Sequence, residues 1–141
     1  MNRSKPPMVL EVRPAGHDHQ VVSLSAGGGR YRRTPCPGCP WVVENAGTFP
    51  PEAFRHSART AVDMSQHVFA CHESGTAKPT TCAGFLLRGA EHNLSVRLAQ
   101  FEGKLDLSKV HDDGRELFDR YQDMAVANGV PPGDPSIQDC R

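Results

Sequence analysis

Thr34-Pro35-Cys36-Pro37-Gly38-Cys39-Pro40-Trp41 is the stretch on which the fold turns. Its three prolines each fix φ and lack an amide donor, so the segment cannot be a continuous helix. What remains is a loop of knuckle-like turns carrying two thiols with two residues between them. That spacing lets both sulfurs face one ion while the intervening backbone turns its amides towards them. Trp41, directly after the knuckle, reads as a cap over such a site.

Two further cysteines lie downstream. Cys71 ends the short apolar run His67-Val68-Phe69-Ala70, and Cys82 opens a helical pattern, so the whole reads C-x2-C-x31-C-x10-C. Four thiolates are soft donors and select zinc or an iron–sulfur cluster over magnesium or calcium. The second half is too widely spaced for a ribbon of two C-x2-C knuckles, and no C-x2-C-x2-C run of the ferredoxin kind is present. Proline after both Cys36 and Cys39 resembles the Cys-Pro that follows a cluster ligand. Zinc is slightly favoured and an iron–sulfur cluster stands second. His72 is an alternative ligand in place of Cys71, because imidazole also suits zinc. Cys140 is expected to be a free, exposed thiol with an outside role as a ligand. His17 and His19 bracket Asp18 in the leader, where chance metal affinity would imply no function.

Catalytic readings are weaker. A C-x2-C pair is a dithiol redox motif where it follows a strand and opens a helix, and Pro40-Trp41 does not open one. Cys71-His72 as a nucleophile and base suffers from sequence adjacency, which seldom provides the geometry of a proton transfer. A hydrolytic zinc site would need a nearby carboxylate, and Glu73 is the candidate. No catalytic residue is assigned.

Around the cysteines the sequence divides into a flexible leader at 1–30, a cysteine-motif metal-binding domain at 31–130 and an irregular tail at 131–141. The leader holds few large apolar side chains and ends in Gly27-Gly28-Gly29, a linker rather than a phosphate loop, since the Lys-Ser/Thr of the latter is missing. VLEV at 9–12 and VVSL at 21–24 are alternatives to a wholly flexible leader, as short edge strands. Pro50-Pro51 suits a helix start, giving a helix over 51–64. Further helices are expected over 82–90 and 93–103, the second from Leu94, Leu98, Phe101 and Leu105. A last one is capped by Asp112 or Asp113 and stopped by Asn128-Gly129. Phe85, Phe101, Phe118 and Tyr121 are expected in the core. Arg30, Arg32 and Arg33 read as a solvated face, and Asn93-Leu94-Ser95 as a sequon by pattern only.

The totals agree with a small, mainly α, single metal-centred domain, α+β at most, with much irregular loop. The chain has 141 residues, of which 38% are hydrophobic, with 13 glycines and 12 prolines. A small core leaves little above the conformational entropy cost, and a metal is one staple that would help. Sixteen basic and sixteen acidic side chains cancel, so net charge marks no duplex or anionic membrane as a partner. No apolar run approaches the ~18 residues of a membrane span and no signal-peptide core follows Met1. A cytoplasmic location is expected, where an odd set of five cysteines suits metal better than disulfides.

With these residues in view, TPCPGCPW at 34–41, VFACHESG at 68–75 and CAGFLLRGAEHNLSVRLA at 82–99 resemble a domain-of-unknown-function family of small bacterial and phage proteins marked by CPxCPW, FxCH and CAGF or CAGW. The resemblance covers about residues 31–130. It implies that Cys36, Cys39, Cys71, His72 and Cys82 belong together, and it implies no activity. The expected function is a non-enzymatic interaction or regulatory module meeting an unknown protein or nucleic-acid partner. The alternatives are an iron–sulfur protein in redox sensing or electron transfer, and then a metal- or thiol-dependent enzyme.

Overall fold

The computed structural model describes residues 8–14, 20–25, 30–74 and 78–141. The Gly27–Gly29 linker, the His17/His19 pair and Gly75 lie outside them. The protein is mainly α with a little β. Its strands are β1 (Met8–Pro14), β2 (Gln20–Ser25) and β3 (Val68–Phe69), in the order β1-β2-β3. The helices are α1 (Pro51–Ser57), α2 (Ala83–Arg88), α3 (Leu94–Phe101) and α4 (Tyr121–Ala127). Among the described residues no helix is long and apolar enough to cross a membrane.

Part of the expected flexible leader is therefore strand. β1 and β2 pair antiparallel with an irregularity between Val9 and Glu11, and β2 pairs β3 at Ser23 with Phe69 and Leu24 with Val68. The valine-rich runs at both segments favour a pleated surface, and β3 offers the edge they extend.

Pro51 stands at the first helical position of α1, as its fixed φ and absent amide favour. The helix is shorter than the expected 51–64 and tightens into a 3-10 turn over Ala58–Thr60. The Thr60 hydroxyl donates to the Ser57 carbonyl at 2.8 Å, one of the local side-chain bonds that compete with a continuing ladder. The chain then reverses at Met64, whose φ of 59° is left-handed and whose amide donates to the His92 carbonyl.

Asn93 sets the phase of α3. Its Oδ1 accepts from the Val96 amide at 3.1 Å and its Nδ2 donates to the His67 carbonyl at 2.7 Å, in a fully buried position. With the cap so anchored, Val96 and Ala99 face inward, while Leu98 is 50% and Phe101 90% exposed. The expected core place of Phe101 is thus corrected, and of the repeat Leu94, Leu98, Phe101 and Leu105 only Leu105 is buried. Asn93→Ala is expected to cost about 2–3 kcal/mol, the lost cap plus the unpaired His67 carbonyl, read as a lower urea midpoint at unchanged slope.

The last helix starts later than expected. Asp112 accepts the Gly114 amide on its Oδ1, and Asp113 and Gly114 have successive φ values of 57° and 76°, which no right-handed helix can contain. Leu117 instead bridges antiparallel to Val42, and α4 begins at Tyr121. It ends as expected at Asn128-Gly129, where Gly129 has φ 103°.

The core surrounds Trp41. Its ring meets Phe69 and Tyr121 edge-on, each at 6.1 Å, and Phe85 stacks on Phe69. Phe85 and Tyr121 are buried as expected, and Phe118 packs partly buried against the core cluster. The segment 131–141 is short on regular structure, with a 3-10 turn at Pro135–Ile137, yet it is bound in. Ile137 is buried, the Tyr121 amide donates to the Arg141 carbonyl, and the Arg141 amide donates to Ala61.

Candidate metal centre

The knuckle is a hydrogen-bonded turn in which the Cys39 amide donates to the Cys36 carbonyl at 3.0 Å and the Val42 amide to the Cys39 carbonyl at 3.1 Å. Side chains hold its outward carbonyls. Arg115 donates to Cys36 at 2.7 Å and Pro37 at 2.8 Å, and Asn45 Nδ2 to Pro37 at 3.1 Å and Cys39 at 2.9 Å. Neither residue was singled out from sequence. Arg115 lies 79 positions from Cys36, and a bond to a carbonyl leaves no periodic trace.

The other two cysteines lie just after β3 and just before α2. The Cys71 amide donates to Thr80, and its carbonyl accepts both the amide and the hydroxyl of Ser74. Cys82 is the residue before α2, its amide donating to Phe69 and its carbonyl accepting from Leu86. Ala70 and Thr81 bridge antiparallel between them. The loop and the helix entry so come together.

The four sulfurs lie in series. Cys71 contacts Cys36, Cys36 contacts Cys39, and Cys39 Sγ lies 3.7 Å from Cys82 Sγ. All four are free thiols with at most 3% exposure. Contact with Cys39, together with burial, pushes the Cys36 thiol up to about 11. Contact with Cys36 and then burial raise Cys71 well above the thiol range. At Cys39 the contact with Cys36 lowers the pKa, but Cys82 and burial outweigh it and the thiol is raised. Cys36, Cys39 and Cys71 therefore favour the neutral form on their own, and a cation beside them is what would make their thiolates stable together. Soft, buried donors arranged in series fit a zinc ion or an iron–sulfur cluster by their chemistry.

His72 and Glu73 are exposed, on the side of Cys36. One ligand atom each from Cys36, His72 and Glu73 lies within 4.8 Å of the others. The His72 ring stands edge-on to Phe49 at 5.1 Å.

Cys140 departs from expectation. It is buried, and its thiol donates to the Ala58 carbonyl at 3.4 Å, with Ser136 the further acceptor. The reason is the bound-in tail, in which Gln122 Nε2 holds the Ile137 and Cys140 carbonyls at 2.9 and 2.8 Å. Burial, and then Asp139, push this thiol up to about 11. Trp41 is less a lid than a wall, fully buried against α2. A Cβ placed on Gly84 would lie 2.5 Å from Trp41 Cβ, and one on Gly89 2.7 Å from Cη2. The knuckle leads into a 3-10 turn at Val43–Asn45, not an α-helix, so the arrangement that lowers a redox thiol's pKa at a helix end is not the one here. Of the basic trio, Arg32 Nε donates to the Thr34 carbonyl at 3.0 Å, and Arg30 and Arg33 are exposed.

Fold and site together define a small, mainly α protein with four buried cysteines near one another. The chain belongs to the family of unknown function DUF6283, which it matches over residues 31–141. That span includes Ile137 and Cys140, beyond the stretch the motifs mark. No curated protein and no solved structure matches the chain.

Proposed function

We propose that this chain is a cytoplasmic metal-binding protein in which the thiolates of Cys36, Cys39, Cys71 and Cys82 hold one zinc ion. The observation that carries the reading is the buried series of four free thiols joined across the knuckle, β3 and α2. A full set of four ligands at almost no exposure is the pattern of a structural zinc site, whereas a catalytic one keeps a position open. The centre then acts as a staple that gives a proline- and glycine-rich chain one surface. That surface serves a non-enzymatic interaction or regulatory role towards a protein or nucleic-acid partner.

The second reading is an iron–sulfur cluster with redox-sensing or electron-transfer behaviour, favoured by proline after both knuckle cysteines and by the non-ribbon spacing. Anaerobic purification, elemental analysis and a visible spectrum separate the two. About one zinc per chain without colour is the expected result. Brown protein with iron and sulfide replaces it with the second reading, and protein with neither overturns both.

A further inference from the structure

Cys36 stands at a corner between two groups of donors. On its buried side are Cys39 and Cys71, and on its open side His72 and Glu73, with Cys36, His72 and Glu73 each offering an atom within 4.8 Å of the other two. We propose that these three residues form a second cation site, taking an exchangeable divalent transition-metal ion of the zinc class that shares the Cys36 sulfur with the buried centre. The proposal rests on the four-thiolate reading, since Cys36 must already be a thiolate to bridge.

Three features carry it. The first is donor chemistry: sulfur, imidazole nitrogen and carboxylate oxygen together suit zinc and its neighbours and not calcium or magnesium. A thiolate retains lone pairs after binding one ion, so it can serve two.

The second is that His72 is placed. Phe49 meets its ring edge-on, and Gly38 leaves the room it occupies over the knuckle: a Cβ at Gly38 would lie 3.1 Å from His72 Cε1 and 3.2 Å from Nε2. The glycine between the two knuckle cysteines thus admits an imidazole beside Cys36. Ser74 ties back to the Cys71 carbonyl through both amide and hydroxyl, fixing the turn that presents residues 72 and 73 in succession.

The third is reach. Zinc bonds of about 2.0–2.3 Å need donors closer together than the 4.8 Å limit. Glu73 is exposed and its side chain can rotate inward, while His72 keeps the place beside the knuckle that Phe49 and Gly38 give it. Three protein donors leave a fourth position for water at the surface. Such an ion exchanges readily, unlike one enclosed by four buried thiolates.

The test is a cobalt(II) titration of full-length protein already holding one zinc, followed by absorbance and calorimetry under reducing conditions. A second equivalent is expected, bound more weakly than the first. His72→Ala and Glu73→Gln should each weaken the second equivalent by about tenfold or more, leaving the first equivalent and the melting temperature unchanged. Two controls address other surface histidines: the His17→Ala/His19→Ala pair, and His56→Ala, which removes the histidine beside Glu52. Both should leave the second equivalent intact.

Uptake of one ion only overturns the second site and leaves the four-thiolate reading standing. So does a second equivalent lost in a control variant but kept in His72→Ala. Loss of the first ion in His72→Ala overturns it differently, by making His72 a ligand of the buried centre. Protein that takes up no zinc at any stage overturns the four-thiolate reading itself.

Discussion

Stripping the proposed zinc ion with a chelator at pH 7, under reducing conditions, is expected to abolish the cooperative thermal transition or lower its midpoint by on the order of 20 °C or more. Structural zinc contributes about 10–16 kcal/mol of apparent binding free energy in small domains at this pH, and that energy is folding free energy. Far-ultraviolet circular dichroism and calorimetry with and without chelator measure it. An unchanged melting curve would sink the stapling role.

The pH dependence has opposite signs in the two forms. Metal binding displaces protons from the thiols, so the ion is lost as pH falls. In the metal-free fold Cys36 is pushed from 9.0 up to about 11, so the folded state holds its proton more tightly than the unfolded chain does. That contribution is fully present below pH 9 and fades as pH climbs towards 11. The metal-free protein should therefore weaken in alkali, and the metal-loaded protein in acid.

Gly84→Ala is expected to cost about 3 kcal/mol or more and to weaken binding of the proposed zinc ion. The added carbon would lie 2.5 Å from Trp41 Cβ, 2.9 Å from Cγ and 3.1 Å from Cys39 Sγ. Trp41 cannot retreat, because Phe69 and Tyr121 hold its ring and no part of it reaches solvent. Overpacking of a filled core ordinarily costs about 1–3 kcal/mol, and here the obstacle is the base of a rigid side chain. Gly133→Ala is the control: nothing lies within 4 Å of the added carbon, and the change should stay within about 0.5 kcal/mol. Urea midpoints at constant slope compare the two. Equal midpoints would show that Trp41 is not fixed where the structure has it.

Legibility varied with the range of the interaction. Pro51 and Gly129 mark helix ends through their own backbone restrictions, so α1 begins and α4 ends where the sequence implies. The Cys36–Cys39 turn is legible for the same reason. The direction in which α3 faces was not, because the long-range bond from Asn93 to the His67 carbonyl, and not the leucine spacing, sets it. Asp112 and Asp113 look like caps, yet a left-handed pair at 113 and 114 turns them into a loop. Ile137 and Cys140 sit in a segment of weak local pattern, and their burial depends on Gln122 and Ala61. At the candidate site the residue types were visible and their supports were not. Arg115 and Asn45 act on carbonyls, which every residue has.

The Arg115 contact has a consequence for the order in which the molecule is made. The knuckle emerges from the ribosome 79 residues before the guanidinium that steadies its carbonyls, and Cys39 precedes its neighbour Cys82 by 43. Both closures are non-local, the kind of contact that forms slowly because a long loop must be ordered first. The nascent chain thus carries a knuckle steadied only by nearby Asn45 until Cys82 supplies the last sulfur, and Arg115 locks the turn later still.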